Sequence, residues 1–218
     1  MALRILVLLV TMLPATQAYA AEDDIPENLQ GRWVFKGETC EAGGKAMAIS
    51  ATTLVYADGT IDDVYFAPED SAIRIHEEGT NYEYIADDDA LIFHPEGFGM
   101  GIALPVQRCA LPDASAERRC GWQANLTPGE WRLVDADRSW ILSTRDDDNI
   151  ATIAVMDMVP DFEEEQFVST GSYYGYGCAC MTVATDTALG RITAIASSKR
   201  LPLATCEADT SLPSSADW

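Results

Sequence analysis

Basic residues, histidines and long apolar stretches are all scarce in this chain. Its 218 residues carry 14 Lys and Arg against 35 Asp and Glu, a net charge of −21. A surface that acidic repels phosphate, so nucleic-acid binding would need a local basic patch. The densest basic clusters are only Arg118-Arg119 and Lys199-Arg200. The two histidines, His76 and His94, limit a Ser-His-Asp site to one of them, and no Gly-x-Ser-x-Gly nucleophile turn is present. His94 opens a loop whose glycines, Gly97, Gly99 and Gly101, are spaced by two with no Lys-Ser after them. That pattern reads as a structural turn and excludes a phosphate loop. No internal repeat and no long amphipathic helix is visible. Hydrophobic residues at 48% exclude wholesale disorder.

The one marked apolar run is amino-terminal. Residues 1–20 read as a signal peptide, with Arg4 as the positive start, Ile5 to Leu13 as the apolar run, Pro14 as the break and Ala18-Tyr19-Ala20 as the cleavage site. The run is too short to span a bilayer, and no Cys stands at the cleavage point to carry a lipid anchor. Removal of Arg4 leaves 13 bases against 35 acids, a net of −22. The expected location is periplasmic or secreted, with no membrane span after cleavage.

In that setting six cysteines imply disulfides. Cys40 and Cys109 bracket the first half and are expected to pair. Cys120, Cys178, Cys180 and Cys206 belong to the second half, where three connectivities are open. If the segment is a strand, Cys178 and Cys180 are expected on opposite faces, bonded to different partners, with Cys120 and Cys206 favoured. A redox dithiol at Cys178-Ala179-Cys180 would want a thiol at a helix N-terminus, whereas Tyr, Gly and Met-Thr-Val flank the pair. A zinc site would want two-residue knuckle spacings.

The first half, 21–110, reads as β-structure. Leu54 to Ala57 and Thr60 to Phe66 flank Asp58-Gly59, a two-residue hairpin signal, and Tyr82 to Ala86 and Ala90 to His94 flank Asp87 to Asp89. Consecutive hairpins predict a small barrel. Residues 110–118, with Pro112 and three small residues, read as a linker. In the second half Trp131 to Val134 and Ser139 to Leu142 form a further hairpin candidate. Ile150 to Met156 reads as an apolar strand, and Asp161-Phe162-Glu163-Glu164 as a capping box opening a helical turn. Tyr173 to Val183 and Arg191 to Ala196 read as the last strands, and Pro202 to Asp209 as a short helix or loop. The expected fold class is mainly β: two small disulfide-stapled β-rich domains, 21–110 barrel-like, 118–213 a sheet with short helical turns.

Two resemblances accompany these patterns. Gly31-Arg32-Trp33 resembles the entry strand of lipocalin-like barrels, where the Trp closes one end. In the second half the motif set is Arg119-Cys120-Gly121-Trp122, Val159-Pro160-Asp161-Phe162, Tyr174-Gly175-Tyr176-Gly177-Cys178-Ala179-Cys180 and Leu201-Pro202-Leu203 with Cys206. Over about residues 118–213 it resembles a bacterial exported family catalogued as a domain of unknown function. That resemblance implies a domain boundary and four structural cysteines, with no assigned activity.

No catalytic residue, cofactor or metal site is assigned from the sequence. The acidic runs Asp87 to Asp89, Asp146 to Asp148 and Glu163 to Glu165 are consecutive, and neighbouring acids cannot all face one calcium ion. Tyr173, Tyr174 and Tyr176, interleaved with Gly171, Gly175 and Gly177, are the candidate binding residues, since Tyr and Gly together make adaptable contact surfaces. The structural alternative is a twisted strand whose glycines admit crossing aromatic rings. Trp122, Trp131 and Trp140 read as core. The function expected is a non-enzymatic envelope binding protein, with a basic protein as inhibitor or immunity-type partner or a small apolar ligand. The alternatives are a small hydrolase using two carboxylates across a cleft, and a purely structural envelope protein.

Overall fold

The computed structural model describes residues 24–40, 44–69, 71–75, 81–85, 90–94, 101–110, 116–147, 149–172 and 174–215; the side chains of 81–85 and 150 are not among them. The signal segment, His76, Asp87 to Asp89, Gly97, Gly99, Asp148 and Tyr173 therefore lie outside the described residues.

Eight strands make the first sheet: Gly31–Phe35 (β1), Met47–Ile49 (β2), Thr53–Val55 (β3), Ile61–Ala67 (β4), Ala72–Ile75 (β5), Asn81–Ile85 (β6), Ala90–His94 (β7) and Leu104–Arg108 (β8). Each pairs antiparallel with the next, and β8 returns to β1 through Trp33↔Arg108 and Phe35↔Val106, so the curled sheet closes. Side chains alternate across its wall. Trp33, Met47, Ile49, Leu54, Val64, Ile73, Ile75, Leu91 and Val106 fill the interior together with Ile25 and Leu29. Ala48 and Val55, on the opposite parity, are buried on the outside against the second sheet. Hydrophobic residues on both faces of β2 and β3 thus follow from a barrel with a neighbour on one side.

The β3–β4 connection differs from the expected two-residue turn. Gly59 N bonds Tyr56 O, and Tyr56 N bonds Thr60 O, giving a three-residue loop. Only Gly59, at φ 86°, is left-handed there; Asp58 keeps a negative φ and accepts from Thr60 N instead. The turn needs one positive φ, which Gly supplies without strain.

The second sheet comprises Glu117–Thr127 (β9), Glu130–Val134 (β10), Ser139–Ser143 (β11), Phe167–Gly171 (β12), Tyr174–Asp186 (β13) and Arg191–Leu201 (β14). Its order is β12-β13-β14-β11-β10-β9, and β13 also pairs with β9, so five strands form a second ring. The one parallel contact is Ile141↔Arg191 between β11 and β14. The expected strand at Ile150 to Met156 is instead a helix, Ile150–Met156 (α1). Asn149 caps it, its side chain accepting from Thr152 N at 3.0 Å. The helix then buries Thr152 and Val155, three apart on one face. A seven-residue apolar run does not reveal its period, and the cap and the packing decide it. The expected helical turn is the 3-10 segment Glu164–Gln166, but its capping box runs between Glu163 and Gln166, two positions later than the Asp161–Glu164 spacing. Leu203–Ala208 (α2) closes the described fold.

Three disulfides are present: Cys40–Cys109, Cys120–Cys180 and Cys178–Cys206. Cys178 and Cys180 do take different partners, but not because they face apart. Residues two apart on a strand share a face. Cys120 lies directly across from Cys180 on β9, while Cys178 reaches Cys206 on α2. The other face of β13, Ala179, Met181 and Val183, joins the core with Leu133, Leu142, Val155 and Met158. Three disulfides put the folded chain in an oxidising, extracytoplasmic setting. No helix among the described residues is long and apolar enough to cross a membrane.

Residues 24–30 bind the two sheets together. Gln30, buried, donates to Ile25 O and accepts from Ser198 N at 2.7 Å. Glu27 pairs with Arg118 at 2.7 Å, and Asp24 pairs with the buried Arg200.

Candidate functional site

Where β1 and β8 meet β14 and α1, the two sheets do not close. Between them lies a cleft of about 370 Å³, lined by Gly31, Arg32, Cys40, Arg108, Cys109, Ala110, Ala151, Ala154, Val155, Thr193, Ala194, Ile195 and Ala196. Small side chains create the space: Ala151 and Ala154 from α1, Ala194 and Ala196 from β14. Gly31 permits the approach of β1 at its edge. Its φ is 123°, and a Cβ there would lie 3.2 Å from an Arg108 guanidinium nitrogen and 3.4 Å from Ala196 O. The half-exposed Cys40–Cys109 bridge forms part of the wall.

Among the described residues two arginines line this cleft and no carboxylate does. In a chain of net charge −21 that is a local reversal of sign. Arg108 is held from below: its guanidinium lies 4.2 Å from the centroid of Trp33 and donates to the Gln30 and Asn28 carbonyls. Arg32 forms no ion pair among the described residues. Its nearest influence is on Asp157, the cap residue of α1: burial pushes that carboxyl up and Arg32 pulls it down, with burial prevailing.

A second cleft, about 510 Å³, lies between β3–β4 and the Asp161–Glu163 segment, lined in part by Asp24, Asp63, Asp161, Glu163 and Arg200. Asp161 keeps part of its surface exposed, yet desolvation, and then the Asp63 charge, push its carboxyl up against the pull of Arg200. Asp63 is exposed, and Glu163 is engaged by Arg200 at 3.0 Å. The two buried carboxylates that a hydrolase cleft requires are not met here. Among the described residues no group of His, Cys, Asp and Glu could hold a metal ion.

The tyrosines sit elsewhere. Tyr174 is half-buried at the start of β13. Tyr176 packs edge-on against Trp122 at 5.3 Å, in the cluster with Cys178, Cys206, Leu201, Leu203 and Leu212. The glycines beside them admit close neighbours: a Cβ on Gly177 would fall 2.5 Å from the Phe162 ring, and one on Gly175 2.2 Å from Val168 O and 2.5 Å from the Phe167 ring. Trp122 and Trp140 are buried and Trp131 partly so. His94 is half-buried on β7. All described cysteines are bonded, so no free thiol is available for redox chemistry.

A similarity to a known family falls on the second ring. Residues 114–213 match the family model described as Protein of unknown function (DUF4087). No curated protein and no solved structure matches the chain. The DUF4087 segment contains α1, β14, four of the six cysteines and the tyrosine–glycine strand. The family description assigns it no activity. It supplies one wall of the apolar cleft; β1, β8 and the Cys40–Cys109 bridge, all outside the matched residues, supply the other. Sequence inspection missed Arg32 and Arg108 as site residues, since neither stands in a ligand-binding pattern. Their only local markers are the Gly-Arg-Trp motif and the cysteine after Arg108.

Proposed function

We propose that this is a non-enzymatic binding protein of the cell envelope, periplasmic or secreted, that holds a small apolar ligand in the cleft between its two sheets. The observation that carries the reading is the composition of that cleft among the described residues: alanines, valine and isoleucine backed by two arginines, without an acid. Its volume lies at the lower end of the roughly 300–1,000 Å³ typical of small-molecule sites. The interior of the barrel supports the same placement. It is filled by Trp33, Leu54, Ile73, Leu91 and their neighbours, which leaves the outer wall as the receptive surface.

The test exposes the disulfide-bonded protein to an extract of envelope lipids and metabolites and weighs it by native mass spectrometry. The expected result is a bound small molecule that Ala154→Phe, which fills the cleft, no longer retains. A protein that captures nothing, or a variant that captures as much, overturns the reading.

A second reading, an inhibitor or immunity-type partner of a basic protein, is favoured by the charge of −21 spread over both halves. It requires a single basic protein captured from envelope extract and released by a modest salt step.

A further inference from the structure

We propose that the ligand of the inter-sheet cleft is a medium-chain acyl monocarboxylate, its chain lying against the wall made by α1 and β14 and its carboxylate on the Arg32 guanidinium. This inference rests on the cleft being the binding site.

The chemistry follows from the two kinds of side chain that line the cavity. Ala151, Ala154, Ala194 and Ala196 offer only methyl groups and backbone. Such a surface rewards a flexible alkyl chain, which gains by burying its methylenes and needs no partner for hydrogen bonds. The same cavity is lined by Arg32 and Arg108. Their donors differ in what is left to offer. Arg108 is committed to the Asn28 and Gln30 carbonyls and to the face of Trp33. Arg32 has no carboxylate partner among the described residues and is only half-buried on the cleft wall. A guanidinium presents a planar fork that matches a carboxylate with two parallel hydrogen bonds. Arg108 adds a second positive charge beside it without moving.

Competition from the protein itself is limited. Asp157 is an acid whose charge Arg32 feels, but it does not line the cleft and forms no ion pair with Arg32. No described lining residue is an acid, whereas several arginines elsewhere are claimed: Arg118 by Glu27, Arg119 by Asp135 and Asp137, Arg191 by Asp147, and Arg200 by Asp24 and Glu163. Against that background an arginine on the wall of an apolar cavity, with no ion pair among the described residues, is set for an external anion. A cavity of about 370 Å³, at the lower end for small-molecule sites, limits the chain to a medium length.

Three ten-carbon compounds that differ only in the head separate the possibilities: decanoate, decan-1-ol and decylammonium. Binding of each to the disulfide-bonded protein is measured by isothermal titration calorimetry at neutral pH. Decanoate is expected to bind at least about tenfold more tightly than decan-1-ol, the scale of a charge-assisted hydrogen-bonded pair, and decylammonium least of all. Arg32→Met keeps the apolar stem and removes the charge. It is expected to bring decanoate down to the decan-1-ol affinity and to leave decan-1-ol unchanged. Arg32→Lys, which keeps the charge but loses the fork, is expected to fall between. Equal affinity for decanoate and decan-1-ol, or an Arg32→Met variant with unaltered preference, overturns the carboxylate inference while the cleft stands. Binding of all three that persists in Ala154→Phe overturns the cleft itself. Thermal unfolding of each variant establishes that it is folded before its affinity is compared.

Discussion

The guanidinium of Arg108, at the end of β8, lies 4.2 Å from the ring centroid of Trp33 in the middle of β1. The same guanidinium donates to Gln30 O at 2.6 Å and to Asn28 O, while the indole Nε1 donates to Leu29 O at 3.1 Å. One pair of side chains therefore joins the last strand of the barrel, its first strand and the segment leading into it. Trp33 is fully buried, so its indole carries this join into the core.

Replacing Arg108 by alanine should loosen all three at once. Two charged hydrogen bonds and a cation–π contact are lost, and a loss of about 2–3 kcal/mol is expected in urea unfolding. Arg108→Lys should recover little of it, because an ammonium cannot satisfy both carbonyls while stacking on the ring. A lysine variant as stable as the parent would show that charge alone holds the closure.

Stability should pass through a maximum on the acid side of neutrality. Burial raises the Asp157 and Asp161 carboxyls in the fold, the latter helped by Asp63. For such groups the native state holds its proton longer than the unfolded chain, so stability falls as pH rises through the folded pKa. Glu27 and Asp147 are held low chiefly by hydrogen bonds from Arg118 and Arg191. Asp135 is pushed up by burial, but hydrogen bonds from Arg138 N, Arg119, Asp137 N and Trp140 outweigh it. These three stabilise the fold above the ordinary carboxyl range and lose that contribution as pH falls through their depressed values. Acidification from pH 7 should first raise the unfolding temperature and then, below about pH 4, lower it. In 1 M salt, where self-repulsion of the net charge is screened, Asp157→Asn with Asp161→Asn should abolish the rise. A rise that survives in that variant would assign it to other groups.

The glycines of the second ring should differ sharply in tolerance. A Cβ on Gly121 would stand 2.1 Å from the Val134 carbonyl oxygen, and on Gly177 2.5 Å from the Phe162 ring. Backbone cannot step aside as a ring can. Gly121→Ala is therefore expected to cost more than about 3 kcal/mol and Gly177→Ala about 1–3 kcal/mol. Gly59→Ala meets nothing within 4 Å and should cost about 1–2 kcal/mol for its left-handed conformation alone. Denaturant midpoints of the three variants give the order directly.

Loop length ranks the disulfides. Cys40–Cys109 and Cys120–Cys180 span 69 and 60 residues, and Cys178–Cys206 spans 28. Chain entropy predicts a loss of about 4.4 kcal/mol for removing either of the first two by paired Cys→Ala exchange and about 3.6 kcal/mol for the third. A larger loss for Cys178–Cys206 would assign its stabilisation to the packing of α2 against Trp122 and Tyr176.

Local chemistry was enough for much of this protein. The alternation around Asp58-Gly59, the β6–β7 and β10–β11 hairpins and the mainly β class all depend on neighbours within one or two strands; the pairing of Cys40 with Cys109, 69 residues apart, was legible only from the two cysteines that bracket the first half. Even where the turn at Gly59 took a different loop length, the residue needing positive φ was the glycine. Short range fails where two local answers are nearly equal. Ile150 to Met156 suits a strand or a helix by composition, and the Asn149 cap together with burial of Thr152 and Val155 made it α1.

What the sequence determined by itself is therefore the strand content, the oxidising setting and the family likeness of residues 114–213. Tertiary structure decided what spans distance. It placed Cys120 opposite Cys180 by the β9–β13 register, turned Tyr176 into Trp122, and closed each sheet on itself. It also gathered Arg32, Arg108, Ala154 and Ala194 around one cleft, though these lie on four elements spread over more than 160 positions. An alanine carries no sign of being a cavity wall. Only the approach of two folded sheets, which Gly31 permits at one edge and small side chains leave open beside it, makes the space that it lines.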